Sequence, residues 1–326
     1  MDAHEELVLR LAEKRSKKLG LSKNGYAELV LAVRKDPEKF VDDEHEEAFL
    51  CVAKALDRYE ESQRGDEMLD DDEFMAERAR RLAQLASDCT AALQKDPTCE
   101  DARLLLEIAK DDEPDALLDR LINLGHDIER EGVGYASEGR PEAIDAWDDV
   151  FSRPYLRVQD AIARTCLETA RYGLACSTGQ RLLAISASDV LGARHTCALA
   201  LARLEDEAGF DKLDAMHGRH GDSWSHLARV ILLFKLDRMS AARRALKGFD
   251  SLCEGGMYAL LRPVLVEPYA PDRPQCSPYS FKEAVLAVHE ADPIVVDTPD
   301  LPAWAEAQPG MLESAQAFAQ KSGFDW

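Results

Sequence analysis

The sequence predicts an all-α protein: a solenoid of stacked helix–turn–helix units, with a helical N-terminal region and a Pro-rich crossing near the C-terminus. Three observations carry this expectation. Strand signals are nearly absent, and the best run, Ile294-Val295-Val296, is boxed in by Asp292-Pro293 and Thr298-Pro299. Elsewhere Ala, Leu, Arg and Glu dominate, and apolar residues recur at helical spacing. From Pro154 to Leu252 a helix–turn–helix unit returns about every 34 residues, a period typical of helical repeats.

The elements follow in order. Residues 1–62 read as three helices: one carrying Leu7, Leu9 and Leu11, one from Tyr26 to Val33 stopped near Asp36-Pro37, and one from Glu44 to Tyr59. Ala48, Val52, Ala55, Leu56 and Tyr59 share a face of the third. Residues 63–73 read as an acidic loop whose aspartates cap the next helix, where negative charge meets the positive helix end. This loop lacks the glycine and distal glutamate of a calcium loop. Residues 74–262 read as helical repeats, clearest over 154–252. Lys95-Asp96-Pro97-Thr98 makes a turn, because proline lacks an amide donor and biases its predecessor away from helix. Two helices are expected over 111–150, broken around Gly132-Val133-Gly134. In the clear repeats Ile162-Ala163 and Cys197-Ala198 fill the paired positions of the first helix, where helices cross closely, and Trp224, Leu227, Ala228 and Ile231 fit the first helix of the third unit. Ala175, then Ala242, Leu246 and Phe249, sit on the second helices, and Gly209-Phe210-Asp211 is expected to turn. Residues 263–326 hold the Pro-rich crossing and the capping helices, one from Ser280 to Glu290 and one around Gly310 to Lys321. The terminal Trp326 is expected to pack against the preceding helices.

The length of 326 residues suggests about two domains. The net charge of −22 disfavours nucleic acid and anionic membranes as partners. Half of that excess lies between Glu38 and Glu73, where 15 acidic residues face 4 basic ones. None of the 8 cysteines forms a C-x-x-C pair, so buried free thiols are expected rather than a zinc ribbon or a disulfide framework. The charged N-terminus has no secretory h-region, and no stretch approaches the ~20 apolar residues of a membrane span. The expectation is a soluble cytoplasmic protein.

Five segments stand out: Ala91-Ala92-Leu93-Gln94-Lys95-Asp96-Pro97-Thr98-Cys99-Glu100-Asp101-Ala102, the Arg153-Pro154-Tyr155-Leu156-Arg157 opening, Ala241-Ala242-Arg243-Arg244-Ala245-Leu246, Ser280-Phe281-Lys282-Glu283-Ala284, and Thr298-Pro299-Asp300-Leu301-Pro302-Ala303-Trp304. They resemble a group of bacterial tetratricopeptide-repeat proteins related to the suppression-of-tumorigenicity-seven family. The resemblance covers about residues 88–306. The chain departs from the group at Ile185-Ser186-Ala187-Ser188-Asp189 and after Gly255-Gly256, where asparagine–proline turns are expected. The resemblance implies a tetratricopeptide-like helical repeat solenoid and no catalytic residues.

Such stacks present a concave groove lined by the first helix of each pair, and grooves of this kind bind extended partner segments. The repeat register places Arg157, Asp160, Arg164 and Glu168, then His195, Leu199 and Arg203, then Ser225, Arg229 and Leu233 on that face. Arg157, Arg164, His195, Arg203 and Arg229 would make a basic groove suited to an acidic peptide, since arginine grips carboxylates bidentately. The bland alternative is that these residues pair with neighbouring carboxylates. The carboxylate clamp of this repeat class needs groove asparagines, and the chain has only Asn24 and Asn123. His217, His220 and His226, with Asp222, could ligate a metal and support a metal-dependent enzyme, but the glycines around them suit a plain loop better. Tyr135, Trp147 and Tyr155 could line a small-ligand pocket or simply pack. No nucleophile elbow, P-loop or dinucleotide fingerprint is present. The expected function is a protein-interaction scaffold with no enzyme activity, cofactor or metal; a small-ligand or peptide sensor is the remaining alternative.

Overall fold

Asp2, Ser22, Asp43 and Asp70 each start a helix, because a short side chain with an acceptor oxygen satisfies an amide that the first turn leaves unpaired. Each accepts from the backbone N–H three residues on, and Asp70 with Glu73 completes a reciprocal capping box. These caps open α1 (Ala3–Leu19), α2 (Lys23–Lys35), α3 (Glu44–Ser62) and α4 (Asp71–Lys95), followed by α5 (Glu100–Ile108) and α6 (Pro114–Arg130). The computed structural model describes residues 2–66, 69–131, 145–219, 221–324 and 326. The break at Gly132–Gly134 and Tyr135 lie outside the described residues. Among the described residues there are α-helices, short 3-10 turns and no strand, so the all-α expectation holds.

Two compact units make up the chain: Met1–Val158 with Glu267–Arg273, and Gln159–Val266 with Pro274–Trp326. That boundary falls inside residues 74–262, which the sequence pattern groups as one set of repeats.

In the first unit α1, α2 and α3 enclose Leu7, Val8, Leu11, Val33 and Phe49. A second core joins α3, α4 and α5 through Val52, Leu56, Leu82, Leu85, Cys89 and Leu105. The same unit also buries charge. Arg10 donates to Glu46 at 2.9 and 3.3 Å, its guanidinium 4.5 Å from the Phe49 ring. Arg157 donates to Glu6, to Asp101 at 3.1 Å and to Asp272 at 3.0 Å. Arg81, also buried, holds Asp66 at 2.8 Å and pairs with Glu267, which accepts from Tyr59 Oη at 2.9 Å. Glu267 and Asp272 thereby fasten the proline-rich segment into this unit, which no local pattern foretells.

The second unit contains three helix pairs. These are α7 (Arg153–Glu168, which begins in the first unit) with α8 (Tyr172–Ile185), α9 (Ala193–Arg203) with α10 (Glu207–Met216), and α11 (Ser223–Lys235) with α12 (Met239–Leu252). The same three-residue turn joins each pair. Its middle residue is left-handed: Ala170 at φ 58°, Glu205 at 61° and Asp237 at 54°. The next amide closes each turn by donating five residues back, Arg171 to Cys166, Asp206 to Leu201 and Arg238 to Leu233, as in a Schellman motif. The turn centres are 35 and 32 residues apart (205 − 170 and 237 − 205), close to the expected period. The first helices begin at 153, 193 and 223, so their starts are spaced unevenly.

Two expectations are corrected here. Gly209-Phe210-Asp211 lies inside α10 and makes no turn. A Cβ at 209 would meet Asp206 Oδ2 at 2.4 Å and Leu201 Cδ2 at 2.9 Å, so a larger residue there would have to displace the side chain that caps α10. The capping helix expected from Ser280 to Glu290 does not stop there: α14 (Phe281–Val296) continues through Pro293 and takes in the Ile294-Val295-Val296 run. Burial of Ile294 and Ala291 offsets the ~3 kcal/mol that an interior proline costs. Around α13 (Gly256–Leu261) pack α14, α15 (Asp300–Glu306) and α16 (Met311–Ser322). Phe281, Phe318, Phe324 and Tyr258 form an aromatic cluster, with Trp326 6.3 Å from Tyr258 and under the Arg262 guanidinium. All eight cysteines are free thiols; Cys51 and Cys276 are half-buried and the other six buried.

The α8–α9 crossing is close enough to be tested. Alanine normally stabilises a helix interior by ~1 kcal/mol over glycine. A Cβ at Gly179 would lie 2.5 Å from the buried Cys197 Sγ and 3.3 Å from the Ala193 carbonyl. Gly179→Ala is therefore expected to destabilise by ~1–3 kcal/mol in urea unfolding. The loss should shrink in a Cys197→Ala background. An equal loss in both backgrounds would rule out the sulfur contact as its cause.

Candidate functional site

The second unit carries a pocket of about 200 Å³ between the second and third helix pairs. Helix α9 supplies Arg194 and Ala198; α10 supplies Phe210, Leu213, Asp214 and His217; the start of α11 supplies Gly221, Asp222 and Ser225. The volume lies below the ~300–1,000 Å³ of pockets that enclose a drug-sized ligand, and suits a single side chain.

Local rules fix its polar groups. Asp222 caps α11, accepting from Ser225 N at 2.7 Å. Its other oxygen receives Arg194 at 3.4 Å and lies 3.5 Å from His195 Nδ1. Burial alone would raise the Asp222 carboxyl, but His195, the Ser225 amide and Arg194 outweigh it and hold the group well below the usual carboxylate range. Arg194 also donates to Asp189 at 3.1 Å. On α10, Asp214 Oδ2 accepts from Arg229 at 3.0 Å, and Asp211 takes the same guanidinium at 3.4 Å. Arg229 lies 4.8 Å from the centre of the Phe210 ring. The buried His217 Nε2 has no hydrogen-bond partner among the described residues. Beside the pocket, burial lowers the His226 pKa, and the His226 ring is 6.0 Å from that of Tyr279.

None of the five expected groove cations stands free. Arg157 is 2% exposed and committed to three carboxylates of the first unit. It packs as a core ion because Glu6, Asp101 and Asp272 converge on it. His195 is buried, stacked on Trp224 at 4.2 Å. Arg164 donates to Asp160 at 2.8 Å. Arg203 donates to Asp297 at 3.0 Å and covers the Tyr172 ring. Arg229 is held by Asp211 and Asp214. Leu199 is fully buried, not groove-lining. These contacts match internal pairing with neighbouring carboxylates, and an acidic segment would have to displace them.

Of the three histidines singled out by spacing, His220 lies outside the described residues. Among the described residues no three His, Cys, Asp or Glu side chains converge as a metal site. Trp147 lies 5.0 Å from the Arg153 guanidinium and 5.5 Å from that of Arg157, while Tyr155 donates to Glu129 at 3.1 Å. Sequence spacing pointed to His217 and Asp222 but missed Asp214 and Arg194. The available signal was Asp211, Asp214 and His217 at i, i+3 and i+6, one face of a helix ahead of a glycine loop. No helix among the described residues is long and apolar enough to cross a membrane. No protein-family model, curated protein or solved structure matches the chain.

Proposed function

We propose that the chain is a protein-interaction scaffold of tetratricopeptide-like repeats, which binds a partner segment on its second unit and performs no chemistry of its own. The observation that carries this reading is the turn repeated at Ala170, Glu205 and Asp237, with one closing hydrogen bond in all three helix pairs. Repeats of this kind present adjoining helices as a continuous binding surface. Small residues where the helices cross agree with it: Ala163, Ala175, Ala198 and Ala242 are buried. The pocket at Asp214 and Asp222 supplies one anchor point on such a surface.

The test uses the full chain as bait in an extract of its native organism. Retained proteins are identified by mass spectrometry, and each candidate is purified and titrated against the chain. The expected result is a stoichiometric complex in which the partner protects α9–α11 amides from hydrogen exchange. The reading fails if nothing binds more tightly than to an unrelated acidic protein of similar charge.

A further inference from the structure

The pocket's charge and free acceptors indicate what enters it. Four carboxylates (Asp189, Asp211, Asp214 and Asp222) surround the two guanidiniums of Arg194 and Arg229, a local excess of two negative charges. Each guanidinium is already paired with two of those carboxylates, so an incoming anion would have to compete with them. Asp214 Oδ2 accepts from Arg229, and Oδ1 accepts nothing among the described residues. His217 Nε2 is buried without a partner among the described residues, and leaving such an atom unpaired costs ~1–3 kcal/mol. With its proton on Nδ1, this nitrogen accepts a hydrogen bond. Ser225 Oγ can accept a third. Phe210, Leu213 and Ala198 line the remainder and suit a methylene stem.

We infer that this pocket receives the side chain of a lysine or arginine from a basic partner segment. The inference rests on the scaffold reading above and specifies its ligand. A cationic head satisfies the acceptors of Asp214 and His217 together, while its alkyl stem covers the apolar wall. The net charge of −22 steers such a segment toward the chain. An acidic peptide meets the opposite field and finds each nearby guanidinium already paired.

The test titrates the full chain, in 0.15 M salt, with fluorescein-labelled Gly/Ser peptides bearing three arginines, three lysines or three glutamates, and with free agmatine. At that ionic strength distant charges are screened beyond ~8 Å. The basic peptides are expected to bind, and the glutamate peptide is not. Asp214→Asn keeps the shape of the side chain and should weaken basic-peptide binding by about tenfold or more, the worth of a charge-assisted hydrogen bond. His217→Leu should weaken it by several-fold. Glu313→Gln on the exposed face of α16 removes the same charge elsewhere and should change it less than about twofold, as expected for a screened charge. Equal losses for Asp214→Asn and Glu313→Gln, or no loss for either pocket variant, would overturn the inference. Binding of the glutamate peptide alone would overturn it while leaving the scaffold reading standing. Binding of agmatine with no peptide bound would overturn both.

Discussion

Arg157→Met is expected to lower the unfolding free energy of the first unit by about 3–5 kcal/mol at neutral pH, the usual effect of removing one partner from a buried ion cluster. Methionine nearly conserves volume, so little of the loss comes from a cavity. It comes from Glu6, Asp101 and Asp272, whose shared guanidinium disappears. Glu6 and Asp101 are buried, 2% and 1% exposed. The urea transition should shift to a lower midpoint with an unchanged slope. Adding Asp101→Asn and Glu6→Gln to the variant should recover much of the loss, because apolar or neutral groups tolerate the site better than orphaned carboxylates. A loss below about 1 kcal/mol, the level of an exposed pair, would show that the cluster is solvated.

The pH dependence gives a second readout of the same cluster. Burial raises the Glu6 carboxyl, but Arg157, Arg153 and Arg10 together hold it below its ordinary value. Its contribution is thus present above the unfolded carboxylate pKa and is lost as pH falls through the lower folded value. Asp101 behaves oppositely. Burial, with the charges of Glu6 and Glu100, pushes it from 3.8 up to about 6 against the pull of Arg157 and Arg10. The folded state therefore binds the extra proton, and its contribution weakens as pH rises from about 4 to 6. In Arg157→Met the remaining carboxylates lose their counter-charge and their pKa values rise. The deficit against the native chain should then be largest near neutrality and shrink toward pH 4. A deficit independent of pH would assign the loss to packing instead of charge.

The helices were legible because their signals are local. Asp70 with Glu73, Pro97 after Asp96, and the apolar stripe from Ala48 to Tyr59 act within one or two turns of chain, and the structure keeps each of them. The end of α14 was misplaced at Glu290 because the β-branched Ile294-Val295-Val296 run after Pro293 looks non-helical, yet its propensity is worth less than the burial that α14 gains by continuing. The spacing of the helix–turn–helix pairs was legible, but their boundaries were not. That spacing lives in the left-handed turn residues Ala170, Glu205 and Asp237, none of them a glycine or asparagine that would announce the turn. The site was least legible. Arg157 sits at a groove register by spacing, yet its partners Glu6 and Asp272 are 151 and 115 residues away in sequence. No periodicity encodes a meeting at that separation. Asp214 escaped notice because it lies on a second helix, while repeat grooves are read from first helices.

Gly255→Ala is expected to be among the most damaging single-methyl additions to the second unit. Gly255 initiates α13 at φ +65°, a conformation that costs an alanine roughly 1 kcal/mol or more. Space adds a second penalty. A Cβ there would sit 2.6 Å from Phe281 Cδ2 and 2.6 Å from Phe318 Cζ. Neither ring can withdraw cheaply, because each also packs on Tyr258 and Phe324. Overpacking of this kind typically adds ~1–3 kcal/mol, for a combined loss of ~2–4 kcal/mol. Gly310 separates the two contributions. It opens α16 at φ +86° with nothing within 4 Å of its added Cβ, so Gly310→Ala reports the backbone cost alone. Phe318→Leu removes the ring atoms nearest the new methyl. In a double-mutant cycle, Gly255→Ala should cost less in the Phe318→Leu background by ~0.5–3 kcal/mol, the range for residues in contact. If Gly255→Ala and Gly310→Ala prove equally costly, and the cycle is additive, the aromatic cluster does not determine the glycine at 255.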